Sequence, residues 1–300
     1  MSLSTTEKSN PRTENIDSVS TLEALTLIND EDKSVAGVVE TTLGTLSQVI
    51  DTIVDRLGHN GRLFYIGTGT SGRLGVLDAS EIPPTFGVSP DLIQGVIAGG
   101  FDALHHSVEA SEDDKPAGMR DLKEHGVDSN DVVIGIAASG RTPYTIGGVE
   151  YAKSIGCFTS CVTCNPDSPI TKVVDIPIVA EVGPEAITGS TRMKSGTAQK
   201  IILNMISTVT MIRLGYVKGN KMSNLTAKNE KLVERSLRII MSDTGLDTIE
   251  ARKLFDSAGN DLRIALVMYE TNVPANDAEH ALEETGFVVK TAIDKIRATN

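Results

Sequence analysis

The sequence predicts an α/β fold of three layers, with helices on both sides of a five-stranded parallel sheet, followed by a small C-terminal helical domain. Three observations predict it. Five short apolar runs alternate with helical stretches, as strands buried on both faces do. Each run ends in a loop of small or polar residues. After Asp243-Thr-Gly245 no strand pattern returns, and only short amphipathic helices follow. The chain has 300 residues, 40% hydrophobic, with 27 glycines, which suits one large core or a core with a small appendage.

Residues 1–15 are Ser, Thr, Asn and charge and read as a flexible tail. Residues 16–244 form the main domain. From Ser20 to about Leu57 apolar residues recur at three and four, through Leu22, Leu25 and Ile28 to Leu46, Val49, Ile50 and Ile53, which predicts helix. The strands are Arg62–Ile66, Leu92–Ala98, Val132–Ile136, Cys157–Thr163 and Ile176–Ala180. Between them, a helix is expected from Asp102 through His105 and Glu109 to Glu112. Pro116 and Pro143 open two more, ending at Gly126 and Gly156. Long helices follow over about 197–214 and 224–241. Residues 245–300 form the helical domain, with helices at Thr248–Ser257, Asp261–Tyr269 and Ala275–Glu284 and a helical tail.

Charge narrows the function. Lys+Arg total 28 against 40 Asp+Glu, a formal net charge of −12. Such a chain offers no general field for nucleic acid or an anionic membrane, so neither is expected as a partner. No run of 18 apolar residues is present, and the polar start resembles no signal peptide. Cys157, Cys161 and Cys164 are odd in number and clustered, which argues against a disulfide framework and for a reducing, cytoplasmic location. Cys161 and Cys164 have a redox or zinc spacing, but no second pair exists, so core packing is expected. His105 and His106 are adjacent and diverge on a helix, so they cannot share a metal ion.

In open α/β sheets, ligands bind beyond the carboxyl ends of the strands. Three loops at such ends are alike: Thr70-Ser71-Gly72-Arg73, Ala138-Ser139-Gly140-Arg141-Thr142, and Thr188-Gly189-Ser190-Thr191-Arg192. Each offers glycine for close backbone approach, hydroxyl donors and a following helix whose free N–H groups favour an anion. Together they suggest a phosphate carried on a polyhydroxylated body. Arg141, Arg192 and Lys194 are the cations at hand. Gly67-Thr-Gly-Thr-Ser-Gly72 also fits the dinucleotide fingerprint, but the acidic residue expected after the second strand is missing.

Two carboxylate groups stand near these loops. Glu81 precedes Pro83-Pro84, which should end its helix there. Glu112 lies in the run Glu109-Ala-Ser-Glu112-Asp113-Asp114 at the end of the helix after the second strand. Crowded carboxylates at helix C-termini have raised pKa values that suit acid/base work, although a solvated acidic helix end looks the same.

Leu77-Asp-Ala-Ser-Glu-Ile-Pro-Pro84, Ile136-Ala-Ala-Ser-Gly-Arg-Thr-Pro-Tyr144, Thr188-Gly-Ser-Thr-Arg-Met-Lys-Ser-Gly-Thr-Ala-Gln-Lys200 and Ile28-Asn-Asp-Glu-Asp-Lys33 resemble the bacterial N-acetylmuramic acid 6-phosphate etherase family, from about Val19 to the C-terminus. The resemblance implies a sugar isomerase (SIS) fold, and a likeness to the glucokinase regulatory protein. It implies a lyase that cleaves the D-lactyl ether of N-acetylmuramic acid 6-phosphate to N-acetylglucosamine 6-phosphate and D-lactate, in recycling of cell-wall amino sugar. Its catalytic pair would fall on Glu81 as acid and Glu112 as base. Phosphate and sugar contacts would fall on Thr70, Ser71, Gly72, Ser139, Gly140, Arg141, Thr142, Ser190, Thr191 and Lys194. Thr191, Ser195 and Ala137 depart from the family pattern, and Ala137 has no hydroxyl to donate. The chemistry asks for no metal and no redox cofactor, because a carbonyl acidifies C2–H and a carboxylic acid protonates the leaving ether oxygen. Helices 20–57 and 197–241 carry more apolar residues than one sheet can cover, such as Ile201, Ile202, Met205, Ile206, Val209 and Met211. That surplus and the SIS likeness imply a homodimer. A noncatalytic phosphosugar-binding regulator and a phosphosugar isomerase are the alternatives.

Overall fold

The computed structural model of the protein describes residues 4–106, 108, 111–224 and 230–299. They form two compact units, one from residues 1–80 and 90–208, the other from residues 81–89 and 209–300.

The first unit is built on five parallel strands in the order β2-β1-β3-β4-β5: Leu63–Gly67 (β1), Ile93–Ile97 (β2), Val132–Ile136 (β3), Phe158–Thr163 (β4) and Ile176–Val179 (β5). Each strand begins and ends within two residues of its apolar run, because only that run can be buried on both faces. Pro177 lies in β5, an edge strand, where a missing N–H breaks no inner ladder. Helices α1 (Thr21–Asp32), α2 (Val35–Glu40) and α3 (Leu43–Gly58) precede the sheet. They replace the single helical stretch expected over 20–57. The Ser34 and Thr42 hydroxyls bond the carbonyls of Glu31 (2.8 Å) and Val39 (2.7 Å) at the two breaks, which competes with continuous helix.

Helix α4 (Gly69–Phe86) packs on the face bearing Tyr65 and Ile136, which a Cβ at Gly75 would approach to 3.0 and 3.1 Å. Helices α5 (Lys115–Glu124) and α6 (Pro143–Ser154) cover the other face. There Phe64, Ile66, Val133, Leu122, Tyr144 and Val149 share one core. Glycine lets α5 and α6 touch backbone to backbone: a Cβ on Gly118 would stand 2.1 Å from the Tyr144 carbonyl oxygen. Gly118→Ala is therefore expected to cost about 3 kcal/mol by overpacking. A urea midpoint equal to wild type would contradict this close contact.

Three expectations are corrected here. Among the described residues of the stretch 102–112 there is no α-helix. A short 3-10 turn spans Phe101–Leu104 instead. The Arg73 guanidinium takes the carbonyls of Leu104 (3.3 Å) and His106 (3.1 Å), which a continuing helix would need. Glu109 lies outside the described residues. Second, α4 runs through Pro83 and Pro84 to Phe86. Only the carbonyls of Ala79 and Ser80 lose helical donors to the two prolines, so Glu81 is one turn short of the end. Third, residues 4–15 are not a free tail. Thr6, Asn10 and Thr13 are buried. Asn10 Nδ2 donates to the Pro184 carbonyl (3.4 Å) and Thr13 Oγ1 to that of Ala186 (2.8 Å).

Helix α7 (Lys194–Arg213) begins in the first unit, three residues earlier than expected. The second unit holds α8 (Glu230–Thr244), α9 (Thr248–Ser257), α10 (Leu262–Thr271), α11 (Ala275–Glu284) and α12 (Val289–Thr299). Residues 225–229 of the helix expected over 224–241 lie outside the described residues. Ile239 and Ile240 of α8 share a core with Phe255, Leu266, Leu282 and Ala292. Helix α8 puts its apolar face into this helical core, so the second unit takes in residues before 244.

Candidate functional site

β1 runs to β2 on one side of the sheet, and β3 continues on the other side of β1. Loops leaving β1 and β3 diverge there and open a crevice. A cavity of about 450 Å³ lies at these strand ends, lined by Thr68–Ser71, Arg73, Glu112, Ala137–Ser139, Thr142, Gly189–Arg192 and Glu7. The three Ser/Thr loops read from the sequence therefore meet in one place.

They do not meet as three equal anion sites. In α4 the first helical hydrogen bond is Gly72 N–H to Thr68 O, 2.9 Å. The N–H groups of Gly69, Thr70 and Ser71 are left without an intrahelical acceptor, a ready anion site. At α6, Pro143 has no N–H, and Tyr144 N–H donates to the Glu112 carbonyl at 3.0 Å. At α7, the buried Glu185 carboxylate accepts from the backbone N–H of Lys194 and of Ser195, both 2.9 Å. That carboxylate caps α7 and takes up the positive end of its dipole. The first loop keeps the free helix start, while the other two supply hydroxyls and backbone.

The predicted residues part accordingly. Thr70, Ser71, Ser139, Thr142, Ser190 and Thr191 line the cavity. Ser71 is buried and its hydroxyl donates to Gln199 Oε1 at 2.9 Å. Gly72 and Gly140 lie beneath the lining. A Cβ on Gly72 would meet Gly67 O and Ile97 Cγ1 at 2.7 Å each. Gly140 has φ 66°, and a Cβ there would fall 2.1 Å from Ser168 Oγ. Both glycines shape the loops from behind. Arg141 is exposed and faces a neighbouring depression with Asn165–Pro169.

Lys194 is a correction. Its ammonium is 1% exposed and pairs with buried Glu31, Nζ to Oε2 2.6 Å. A phosphate cannot reach it. Glu31 also pairs with Arg12, Nε to Oε1 2.6 Å. Burial pushes the Glu31 carboxyl up, but hydrogen bonds from Lys194 and Arg12 outweigh this and hold it below the usual carboxylate range.

Glu112 lies in a bend just ahead of α5, held by its carbonyl to α6. Its carboxylate reaches over the start of α4, where a Cβ on Gly69 would come within 3.3 Å of Oε1. Among the described residues, no α-helix ends at it. Asp114, at the end of the acidic run, is drawn away to cap α5 at Ala117 N–H (3.1 Å) and to pair with Arg120 (2.8 Å). Glu81 is exposed on α4 and belongs to the second unit, whereas the cavity lining comes from the first.

Arg73, the last residue of the first loop as read from the sequence, also lines the cavity, and sequence reasoning missed Thr68 and Glu7. Thr68 precedes the first loop, and that neighbourhood was the signal. Glu7 carried none, since it sits in a polar stretch over 170 residues from the third loop. The three cysteines are free and buried, and burial pushes each thiol up to about 12, as inert core sulfhydryls require. His105 and His106 are both exposed.

Comparison with known proteins follows the same lines. The Glucokinase regulatory protein N-terminal SIS domain matches residues 45–153, and the SIS domain matches residues 115–209. The chain is 50% identical over 291 residues to an N-acetylmuramic acid 6-phosphate etherase of Clostridium botulinum, covering 97% of this chain and 96% of that protein. It is 49% identical over 292 residues to a protein of the same name from Brucella anthropi, covering 97% and 95%. A solved structure from Bacteroides fragilis, assigned as a phosphosugar isomerase involved in capsule formation, aligns with a TM-score of 0.50 at 18% identity. It covers 67% of this chain and 95% of its own, and shares the fold.

Proposed function

The chain belongs to the N-acetylmuramic acid 6-phosphate etherase family and is a carbon–oxygen lyase; we propose that its crevice removes the D-lactyl ether of N-acetylmuramic acid 6-phosphate by elimination followed by addition of water. The observation that carries this reading is the Glu112 carboxylate over Gly69, beside the free N–H groups of α4. A phosphosugar anchored on those donors presents its body to that carboxylate.

Glu112 is the base. In the open-chain aldehyde the carbonyl acidifies C2–H, and Glu112 takes that proton. The C2–H electron pair is first held as the enolate of the aldehyde; the enolate then forms the C2–C3 double bond as the C3–O bond breaks, and an acid protonates the departing lactyl oxygen. Glu81 is that acid, as the family likeness assigns. Water then adds at C3 and a proton returns to C2. The products are N-acetylglucosamine 6-phosphate and D-lactate, which places the enzyme in recycling of cell-wall amino sugar. Incubation with N-acetylmuramic acid 6-phosphate should release D-lactate well above the protein-free control. Binding with the ligand returned unchanged would mark a regulator instead.

The phosphate sits at the start of α4, with Thr70, Ser71, Ser139, Thr142, Ser190 and Thr191 around it. Ser139→Ala removes one donor to a charged group, worth about 1.5–3 kcal/mol. Calorimetry with N-acetylglucosamine 6-phosphate should show that loss, with the fold intact. Equal affinity in the variant would remove Ser139 from the cradle.

The location is cytoplasmic. Three free buried thiols support a reducing compartment, and no helix among the described residues is long and apolar enough to cross a membrane. The assembly is a homodimer. Leu22 and Leu25 of α1 are 75% and 59% exposed, and Leu77 of α4 is 53% exposed, more apolar surface than a lone chain needs to show. Sedimentation at micromolar concentration should give twice the 31.9 kDa chain mass, and a fully active monomer would contradict it.

A further inference from the structure

The N-terminal segment does more than cover the loop between β5 and α7. It is fastened to the site at several independent points. Thr6 N–H donates to Asn165 Oδ1 (3.2 Å) and Asn165 Nδ2 donates back to Thr6 Oγ1 (2.9 Å). The same Nδ2 donates to the carbonyl of Ala138 in the β3 loop at 3.0 Å. Thr5 Oγ1 donates to Glu181 Oε1 at 2.8 Å. The neighbours of Glu7 are thus pinned to two of the loops that build the crevice.

Between these anchors, Glu7 lines the cavity together with Glu112 and Ser139. A Cβ on Gly189 would come within 3.4 Å of Glu7 Oε2, which places the carboxylate at the third loop. Among the described residues, no hydrogen bond or ion pair engages that carboxylate. Thr5, Thr6, Asn10, Arg12 and Thr13 each spend their side chains on holding the segment, and Glu7 alone turns its own toward the ligand space.

A carboxylate accepts hydrogen bonds and repels anions. It cannot join a phosphate cradle, nor favour the carboxylate of a lactyl group. What it can hold is a hydroxyl or an amide N–H. We infer that Glu7 is a specificity-determining residue that accepts a hydrogen bond from a hydroxyl or acetamido N–H on the sugar body, beside the third loop. The inference rests on the phosphosugar reading of the crevice. It makes the N-terminal segment a working wall of the site.

The test is calorimetry on the full chain, wild type against Glu7→Ala and Glu7→Gln, with two probes: N-acetylglucosamine 6-phosphate and inorganic phosphate. Loss of a hydrogen bond to a charged acceptor should weaken the sugar phosphate about ten- to a hundredfold in Glu7→Ala. Glu7→Gln, which keeps an acceptor, should lose less. Inorganic phosphate should bind both variants as well as wild type, or more tightly, because a nearby negative charge is gone. Unchanged affinity for the sugar phosphate overturns the inference. So does an equal loss for both probes, which would mean that Glu7 only supports the loops. Tighter binding of both probes would make Glu7 a gate and would overturn it as well. Neither probe requires turnover, so a wild type that binds the sugar phosphate but releases no D-lactate would refute the lyase and leave this comparison decisive.

Discussion

Glu112→Gln should lower D-lactate release by about 10²–10⁴-fold, the contribution of one positioned acid/base group. The side chain is half-buried, and its backbone carbonyl, not its carboxylate, makes the contact to α6. Removing the charge therefore leaves the fold and the phosphate cradle in place. Binding of N-acetylglucosamine 6-phosphate should stay within a few-fold of wild type. The variant should also stop exchanging the C2 hydrogen with solvent deuterium. Retained exchange would assign the base elsewhere. Glu81→Gln should slow lactate release on the same scale but keep the exchange, because the role proposed for Glu81 is that of proton donor and not of base. Wild-type turnover in either variant would remove that residue from the mechanism.

The largest stability effect is expected at Lys194. Lys194→Met strands the buried Glu31 carboxylate with Arg12 as its remaining partner, and breaking a buried pair from one side costs about 3–5 kcal/mol. The pH dependence has a definite sign. Glu31 is held below its ordinary value of 4.5 in the folded chain, so its stabilisation is present above that pH and fades as pH falls through the lower folded value. In Lys194→Met that acid-side loss should begin at higher pH. A variant with the wild-type urea midpoint at pH 7 would show that the pair contributes nothing. The effect on the site is indirect, because Lys194 opens the helix that follows the third loop.

The strands and their loops were legible because a parallel strand is a local signal: an apolar run, then glycine and a hydroxyl. Ser71, Ser139 and Thr191 could be placed at strand ends for that reason, and the sheet order then brought their loops together. What failed depended on partners far away in the chain. Lys194 reads as a loop cation until Glu31, 163 residues earlier, is seen against it. The stretch after β2 reads as helix until Arg73 takes its carbonyls. Nothing near Glu7 says that Asn165 will hold its neighbour. Prolines misled as well: Pro83 and Pro84 break helices in general, but so near the end of α4 they cost only two carbonyl partners. Gly72 and Gly140 stand out in the sequence as loop glycines, and in the structure they shape the cavity from behind.

The account's central claim is that C3–O is the bond cleaved, by elimination and then addition of water. Turnover of N-acetylmuramic acid 6-phosphate in water enriched in oxygen-18, with both products analysed by mass spectrometry, tests it most directly. The account predicts heavy oxygen at C3 of the N-acetylglucosamine 6-phosphate, besides any that exchanges into its C1 carbonyl, and none from cleavage in the D-lactate. Heavy oxygen entering the D-lactate hydroxyl, with an unlabelled C3 hydroxyl on the sugar, would contradict it.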